Sequence, residues 1–285
     1  MMHALAIRNL SFTYRGAATP AIQDIELVVA RGEVLGILGP SGAGKSTLQK
    51  ILTRLLHGYT GSAMVLGNDL AAWGSNYYER IGVAFELPNH FRKLTAIENL
   101  RYFAALYQQS AMTPDEALAR VGLADDGTTP VAQFSKGMQM RLGLARAMLH
   151  GPELLFLDEP TSGLDPANAR QVIALIRDLR DHGATVLLTT HNMGLAEGLC
   201  DRVAFLVDGR MPLVDTPRAL RLRYGRQVVR VEQEDGMAAE FALAGLADNQ
   251  AFLAALRNGV QTIHTQEATL DEIFVHVTGR HLSVA

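Results

Sequence analysis

The stretch Gly39-Pro40-Ser41-Gly42-Ala43-Gly44-Lys45-Ser46-Thr47 decides the fold of this 285-residue chain. It fits the pattern G-x-x-x-x-G-K-[ST], which belongs after a buried strand and at the start of a helix. The preceding segment, Val34-Leu35-Gly36-Ile37-Leu38, runs without polar alternation, as a strand covered on both faces does. Apolar residues then recur at helical spacing, at Leu48, Ile51, Leu52 and Leu55. The sequence therefore predicts a phosphate site between a buried strand and an amphipathic helix.

The residue types in this loop suit a nucleoside triphosphate. Its glycines let successive backbone N–H groups turn toward a phosphate, and the helix N-terminus adds partial positive charge. We expect residues 39–47 to cradle the phosphates, with Lys45 bridging the β- and γ-phosphates and the Ser46 hydroxyl binding Mg²⁺. ATP and Mg²⁺ are the predicted ligands. The alternative, a glycine-rich turn that fits the pattern by chance, leaves the flanking strand and helix unexplained.

A second segment supplies the carboxylates that such a site needs. Leu154-Leu155-Phe156-Leu157 predicts another buried strand and runs into Asp158 and Glu159. We expect Asp158 to hold Mg²⁺, directly or through water. Because side chains alternate along a strand, Glu159 is predicted to point elsewhere, toward the γ-phosphate and a water molecule, as a catalytic base. The alternative is an exposed acidic pair or a helix cap at the end of the strand.

Strand and helix patterns alternate through the first three quarters of the chain. Leu10, Phe12 and Tyr14 alternate with polar residues, and Thr185–Thr190 is a further buried-type strand. Asp165-Pro166 has the form of a helix cap followed by proline. This alternation predicts an α/β fold with a mainly parallel sheet.

The middle and the end of the chain have different patterns. Thr95-Ala96-Ile97-Glu98 is a capping-box sequence, and helical patterns occupy 114–121 and 136–149. Residues from about 88 to 150 are thus predicted to form a helical subdomain. The predicted domains are 1–215, which holds every motif of the site, and 216–285, a small α+β extension with a role in assembly.

The composition of the chain excludes several classes of protein and several kinds of site. The formal net charge is −3 and the chain has one cysteine, Cys200, which excludes an intramolecular disulfide and a cysteine-based zinc cluster. A slightly acidic chain is not expected to capture nucleic acid through its charge. No apolar run approaches the roughly 18–20 residues of a membrane span, and the start lacks the pattern of a signal peptide. We expect a soluble, cytoplasmic protein without a nucleic-acid partner.

One further motif points to a family. Phe134-Ser135-Lys136-Gly137-Met138-Gln139 opens a helix shortly before the strand of Asp158, and it resembles the signature of ABC-transporter ATPases, commonly written Leu-Ser-Gly-Gly-Gln. Tyr14 resembles the family's adenine-stacking aromatic residue, 161–165 resembles its D-loop, and His191 resembles its switch histidine. The tail, 268–274 with Thr278-Gly279-Arg280, resembles that of daunorubicin-resistance-type export ATPases.

The resemblance implies a P-loop NTPase of the ABC ATPase type, with an antiparallel β part at the N-terminus. In that family two subunits enclose ATP head to tail, so Ser135 and Gly137 are expected to reach the γ-phosphate held by a second copy. It also implies nucleotide contacts for Tyr14 and Asp165 and a catalytic role for His191. The simpler alternatives are that Tyr14 ends a core strand and that His191 is a loop histidine.

The sequence departs from the family pattern at the signature and at the Q-loop. Lys136 and Met138 replace a glycine and the glutamine of the signature, and a lysine is electrostatically compatible with a nearby triphosphate. Glu86, within residues 81–88, stands where the family usually has glutamine. Because a carboxylate binds Mg²⁺ more strongly than an amide does, Glu86 is predicted to be a metal ligand that also couples to the permease.

The predicted function is that of an ATP-hydrolysing subunit of an ABC exporter. The implied partners are a second ATPase subunit, in a homodimer, and a separate integral-membrane permease, which would hold the chain at the cytoplasmic face of the membrane. One alternative is a soluble ABC ATPase that acts on ribosomes or DNA, but two ATPase domains or a long coiled-coil insertion would be expected there. Another is a small P-loop kinase, which would lack the signature, the carboxylate strand and the D-loop in succession.

Overall fold

The computed structural model describes residues 3–87, 89–108, 110–225, 227–257, 259–266 and 268–279. The chain divides into two compact units, Met1–Val214 and Asp215–Ala285. Pro88, at the end of the expected Q-loop, and Arg280, in the tail motif, lie outside the described residues.

The elements up to residue 215 are strands and helices in the predicted alternation. The strands are β1 His3–Phe12, β2 Ile22–Ala30, β3 Val34–Leu38, β4 Thr60–Val65, β5 Asn68–Asp69, β6 Ile81–Ala84, β7 Leu154–Asp158, β8 Thr185–Thr190, β9 Arg202–Val207 and β10 Arg210–Asp215. The α-helices are α1 Lys45–Leu52, α2 Ala96–Ala104, α3 Pro114–Arg120, α4 Lys136–Met148, α5 Pro166–Asp181 and α6 Met193–Leu199.

The central sheet has the strand order β10-β9-β3-β8-β7-β6. Strand β3 pairs in parallel with β8 and β9, and β7 pairs in parallel with β8 and β6. All residues of β3 and β8 are buried, which explains why their sequences lack polar alternation. The carboxyl ends of β3, β7, β8 and β6 share one edge, where ligands bind in open parallel sheets. The predicted mainly parallel α/β core is confirmed.

A second sheet with the order β2-β1-β4-β5 packs on the central sheet. Strand β1 pairs antiparallel with β2 and β4, which confirms the antiparallel β part. One hydrophobic core contains Ile7 and Val65 of this sheet together with Ile37 and Leu187 of the central one. The prediction that the β1 alternation extends to Tyr14 is wrong: the strand ends at Phe12, because pairing stops at the Phe12–Ile22 pair and the chain turns.

Helix α1 is shorter than its apolar pattern predicts. It ends at Leu52, and Arg54 has a left-handed φ of 59° that breaks the helical path. Leu55, the fourth apolar residue of the predicted stripe, is 56% exposed. The buried hydroxyl of Tyr77 donates to the carbonyl of Leu52 at 2.6 Å, so the last turn of α1 is fixed by tertiary contacts.

Helices fill the described chain between β6 and β7. Capping boxes open α2 at Thr95 and α3 at Thr113, and Ser135 caps α4. The helices predicted at 114–121 and 136–149 agree with α3 and α4 to within one residue at each end.

The second unit has its own sheet and core. Its elements are α7 Pro217–Tyr224, β11 Val228–Gln233, β12 Ala238–Ala242, α8 Gln250–Arg257, β13 Val260–Gln266 and α9 Leu270–Thr278. The sheet is antiparallel with the order β12-β11-β13, and Val229 and Val231 pack against Ala255 of α8. In the part of the chain that the structure describes, no helix has the length and hydropathy of a membrane span.

Candidate nucleotide-binding site

The loop between β3 and α1 has the geometry of a phosphate cradle. Gly44 caps α1 with a φ of 109° and has no side chain to bond the first helical N–H groups. Those N–H groups have no carbonyl one turn earlier in the helix, so they can donate to a bound anion. A Cβ on Gly44 would lie 2.7 Å from the carbonyl oxygen of Ala21, and one on Gly39 would lie 2.1 Å from that of Leu206. The packing of the loop therefore requires glycine at both positions, and at Gly44 the positive φ favours it as well.

The Lys45 ammonium lies over this loop. Its Nζ donates to the carbonyl oxygens of Gly39 at 2.6 Å and Pro40 at 3.1 Å. Burial lowers the pKa of Lys45 from its ordinary value, and the charges of Glu159, Asp158 and Glu86 oppose that shift. The three carboxylates that the sequence selected therefore all act electrostatically on this one lysine.

The two carboxylates at the end of β7 are held by β8. The hydroxyl of Thr189 donates to Oδ1 of Asp158. Glu159, only 8% exposed, accepts from the Thr190 hydroxyl at 2.9 Å and from the His191 backbone N–H at 2.9 Å. His191 Nδ1 lies 2.7 Å from Oε1 of Glu159, the oxygen that also accepts from the His191 backbone N–H. The His191 side chain is 60% exposed. The Glu159 carboxylate is therefore held in one orientation and contacts the exposed imidazole of His191.

Glu159 lies in a turn just beyond the end of its strand. Strand β7 ends at Asp158, and Glu159 has a φ of 47°, a conformation that residues other than glycine rarely adopt. The prediction that strand alternation directs Glu159 is therefore wrong in its reason, because Glu159 lies outside β7; its carboxylate nevertheless has different partners from that of Asp158. Backbone strain of this kind is concentrated at functional sites.

The residues chosen as metal ligands fit Mg²⁺ only if the nucleotide completes the coordination. Asp158 and Glu86 are half-buried at the same sheet edge, and Ser46 lies in the first turn of α1. Among the described residues there is no group of three or more His, Cys, Asp or Glu side chains arranged to hold a metal by themselves. Mg²⁺ typically takes one or two carboxylates together with waters and substrate phosphates, and this donor set matches that preference.

Tyr14 lies beside the loop. Its hydroxyl is 3.2 Å from Oγ1 of Thr47, and its exposed ring packs edge-to-face on Phe12 with the ring centroids 5.0 Å apart. An exposed aromatic ring at this position can stack on a base.

Ser135, Gly137 and Asp165 form a separate group. The Ser135 hydroxyl accepts from the backbone N–H of Met138 at 3.2 Å, and a Cβ on Gly137 would lie 2.9 Å from Leu164. Asp165 caps α5, and a hydrogen bond from the Asn168 side chain holds its pKa below the ordinary value. No hydrogen bond among the described residues links this group to the loop at 39–47.

Thr189 and Thr190 contact the site carboxylates although no sequence motif marked them. Their position in the sequence could have identified them. Both lie at the end of a buried strand that pairs with the carboxylate strand, directly before His191.

A phosphate loop, a parallel sheet and paired carboxylates at its carboxyl edge define the class of P-loop nucleotide hydrolases. The sequence profile of the family described as ABC transporter matches residues 22–162, and a profile described as fluoroquinolone efflux ABC transporter C-terminal domain matches residues 227–267. The chain belongs to the ABC transporter family as an ATP-binding subunit and is an ATPase.

Relatives agree with this assignment along nearly the whole chain. A fluoroquinolones export ATP-binding protein of Mycobacterium tuberculosis is 55% identical over 284 residues, which cover 98% of this chain and 94% of the relative. A daunorubicin resistance ATP-binding protein of Streptomyces coeruleorubidus is 34% identical and covers 91% of each chain. The predicted resemblance to daunorubicin-resistance-type ATPases is confirmed.

Solved structures share the fold. An ATP-binding subunit of an ABC transporter superimposes with a TM-score of 0.74 at 26% identity, over 96% of this chain and 99% of that one. A dimeric post-hydrolysis ATP-binding cassette bound to ADP and Pi gives a TM-score of 0.68 at 26% identity, over 74% of this chain and 98% of that one.

Proposed function

We propose that two copies of this chain bind Mg²⁺-ATP head to tail and that hydrolysis drives export through a separately encoded membrane permease. The observation that carries the proposal is the placement of Glu159, a buried carboxylate oriented by Thr190 and His191 beside Lys45. A fixed carboxylate next to a phosphate loop is suited to accept a proton from an attacking water.

The proposal assigns a role to the loop lysine, to the metal ligands and to the base with its histidine. Lys45 exchanges its carbonyl partners for oxygens of the β- and γ-phosphates, and the N-terminal N–H groups of α1 bind the remaining phosphate oxygens. Asp158, Ser46 and Glu86 orient the metal, and bound Mg²⁺ neutralises charge on the triphosphate. Glu159 takes the proton from water, and His191 fixes the carboxylate that does so.

We propose a dimer because, among the described residues, Ser135 and Gly137 make no hydrogen bond with the phosphate loop of their own chain. Ser135 and Gly137 lie at the N-terminus of α4, where the helix dipole attracts an anion, and they are not bonded to the loop of their own chain. A second copy arranged head to tail would bring this helix end to the γ-phosphate. The dimeric cassettes of similar fold support this arrangement.

Exposed apolar side chains mark the surface we propose for the permease. Phe85 and Leu87 flank Glu86 along the chain, and Phe91 and Tyr102 are exposed with ring centroids 4.8 Å apart. Contiguous exposed apolar surface marks protein contacts, and we propose that these side chains contribute to such a surface. A permease seated here would keep the chain at the cytoplasmic face of the membrane and could act on the site through Glu86.

The exported compounds are proposed to be fluoroquinolone-like drugs. This rests on the 55% identity to the mycobacterial export protein and on the profile match of the C-terminal unit. The direct experiment is uptake of a fluoroquinolone into inverted membrane vesicles that contain this chain and the integral-membrane protein that co-purifies with it. ATP-dependent uptake is expected with the wild-type chain and not with Glu159→Gln.

The catalytic assignment is tested by comparing Glu159→Gln with Glu86→Gln. The first should lose ATPase activity by about 10²–10⁴-fold, keep ATP binding and accumulate an ATP-held dimer. The second restores the residue usual in the family, so it should retain substantial turnover and change mainly in its Mg²⁺ dependence. Steady-state ATPase across a Mg²⁺ titration, with dimerisation followed by size, measures both. The two roles must be exchanged if Glu86→Gln is inactive and Glu159→Gln turns over normally.

A further inference from the structure

We infer that Thr189 and Thr190 are positioning residues with different tasks: Thr189 sets the metal-binding carboxylate Asp158, and Thr190 sets the base Glu159. The inference rests on the proposed function, because it takes from there the roles of the two carboxylates. It adds two adjacent hydroxyls whose removal should affect two different steps.

The register of the sheet gives each threonine its own carboxylate. Asp158 of β7 is directly opposite Thr189 of β8 in the parallel ladder, and the Thr189 hydroxyl donates to Asp158 Oδ1. Successive side chains of a strand point to opposite faces, so Thr190 faces away from Thr189. Its hydroxyl reaches Oε2 of Glu159 at 2.9 Å. One strand end therefore holds both acids and keeps them apart.

The backbone at Glu159 is held by the same strand end. Glu159 donates its N–H to the carbonyl of Thr189 at 2.9 Å and then turns with a φ of 47°. That turn directs its carboxylate to Thr190 and His191.

The direction of the Thr190 hydrogen bond is fixed by a third group. The backbone N–H of Asn192 donates to Thr190 Oγ1 at 3.0 Å. The oxygen therefore accepts from Asn192, and its own hydrogen is directed to Glu159. Thr189 and Thr190 are 2% and 0% exposed, so water does not replace either hydroxyl. Both hydroxyls are thus committed to the carboxylates.

Removal of each hydroxyl has a separate predicted effect. Valine has the shape of threonine without the hydroxyl. Loss of a group that orients a metal ligand typically costs at least about tenfold in metal affinity. Thr189→Val should therefore weaken metal binding by about tenfold, with turnover at saturating metal within about threefold of wild type. Thr190→Val should lower kcat by about tenfold and leave metal affinity within about twofold.

The test combines a binding measurement with kinetics. Mn²⁺ affinity is measured by electron paramagnetic resonance in the presence of the non-hydrolysable analogue AMP-PNP, and kcat is measured at saturating Mg²⁺. Thr189→Ser and Thr190→Ser keep the hydroxyls and should restore each property. Thr185→Val is the matched control: it lies on the same strand, is equally buried, and its hydroxyl accepts from the backbone N–H of Gly32 at 3.0 Å. Thr→Ala variants replace the valines if a valine variant fails to fold.

The outcomes separate this inference from the proposed function. The inference is overturned if the two hydroxyl-deleting variants change the same property equally, if neither differs from Thr185→Val, or if the serine variants are as impaired as the valines. Normal turnover by Glu159→Gln would instead refute the assigned base. In that case the Mn²⁺ measurement still decides whether Thr189 positions Asp158.

Discussion

Replacement of Lys45 by alanine should remove most of the affinity for ATP without unfolding the chain. The Lys45 ammonium makes two hydrogen bonds to loop carbonyls, at 2.6 and 3.1 Å, and a bound triphosphate would replace them with charge-assisted bonds to phosphate oxygens. A hydrogen bond to a charged group contributes about 1.5–3 kcal/mol. Since about 1.4 kcal/mol corresponds to a factor of ten, one lost bond should weaken ATP binding by about 10–150-fold.

The carboxylates near Lys45 should increase the loss of ATP affinity. Glu159, Asp158 and Glu86 all interact electrostatically with Lys45, so without the lysine they repel the triphosphate more strongly. Lys45→Ala should therefore weaken the binding of ATP more than the binding of AMP.

Equilibrium binding of a fluorescent nucleotide, with thermal unfolding as the check on folding, measures this loss. Lys50→Ala is the matched control, because Lys50 is an exposed lysine of the same helix. The reasoning is refuted if folded Lys45→Ala binds ATP within about twofold of wild type.

Two other predictions concern the division of the chain and its stability in acid. A chain that ends at Asp215 contains the whole first unit, so we propose that it folds and binds ATP; a folded fragment that binds no nucleotide would disprove the domain division. Burial lowers the pKa of His90 and His150, so the unfolded chain takes up protons at a higher pH than the folded chain does. Stability should fall as the pH drops through about 6.5, by about 1.4 kcal/mol for each unit of pKa lowering. In urea unfolding at about pH 7.5 and pH 5.5, a His90→Gln/His150→Gln variant should lose less stability than wild type, and equal losses would contradict the prediction.

The sequence determined the elements whose signals are local. The unbroken apolar runs of β3 and β8, the loop that ends in Lys45, and the cap-and-proline start of α5 depend on residues near one another in the chain. Such patterns act through burial and capping, so they could be recognised before any tertiary contact was known. Asp158 and Glu159 are predicted from the apolar run that ends in them, and Glu86 from the resemblance to the family's Q-loop. All three interact electrostatically with Lys45, because parallel strands end at one edge of the sheet.

Tertiary structure alone decided how those elements end and which groups meet. The left-handed φ of Arg54 and the Tyr77 hydrogen bond stop α1 three residues before its apolar pattern does. The turn at Glu159 and the assignment of one threonine to each carboxylate depend on the register between β7 and β8. Strand register depends on contacts between segments that are distant in the chain, and a positive φ at a residue other than glycine persists only where the surrounding structure holds it, so both override local preference. The sequence therefore specified the lysine and the carboxylates of the candidate site, and the packing of β8 on β7 specified which threonine hydroxyl each of Asp158 and Glu159 meets.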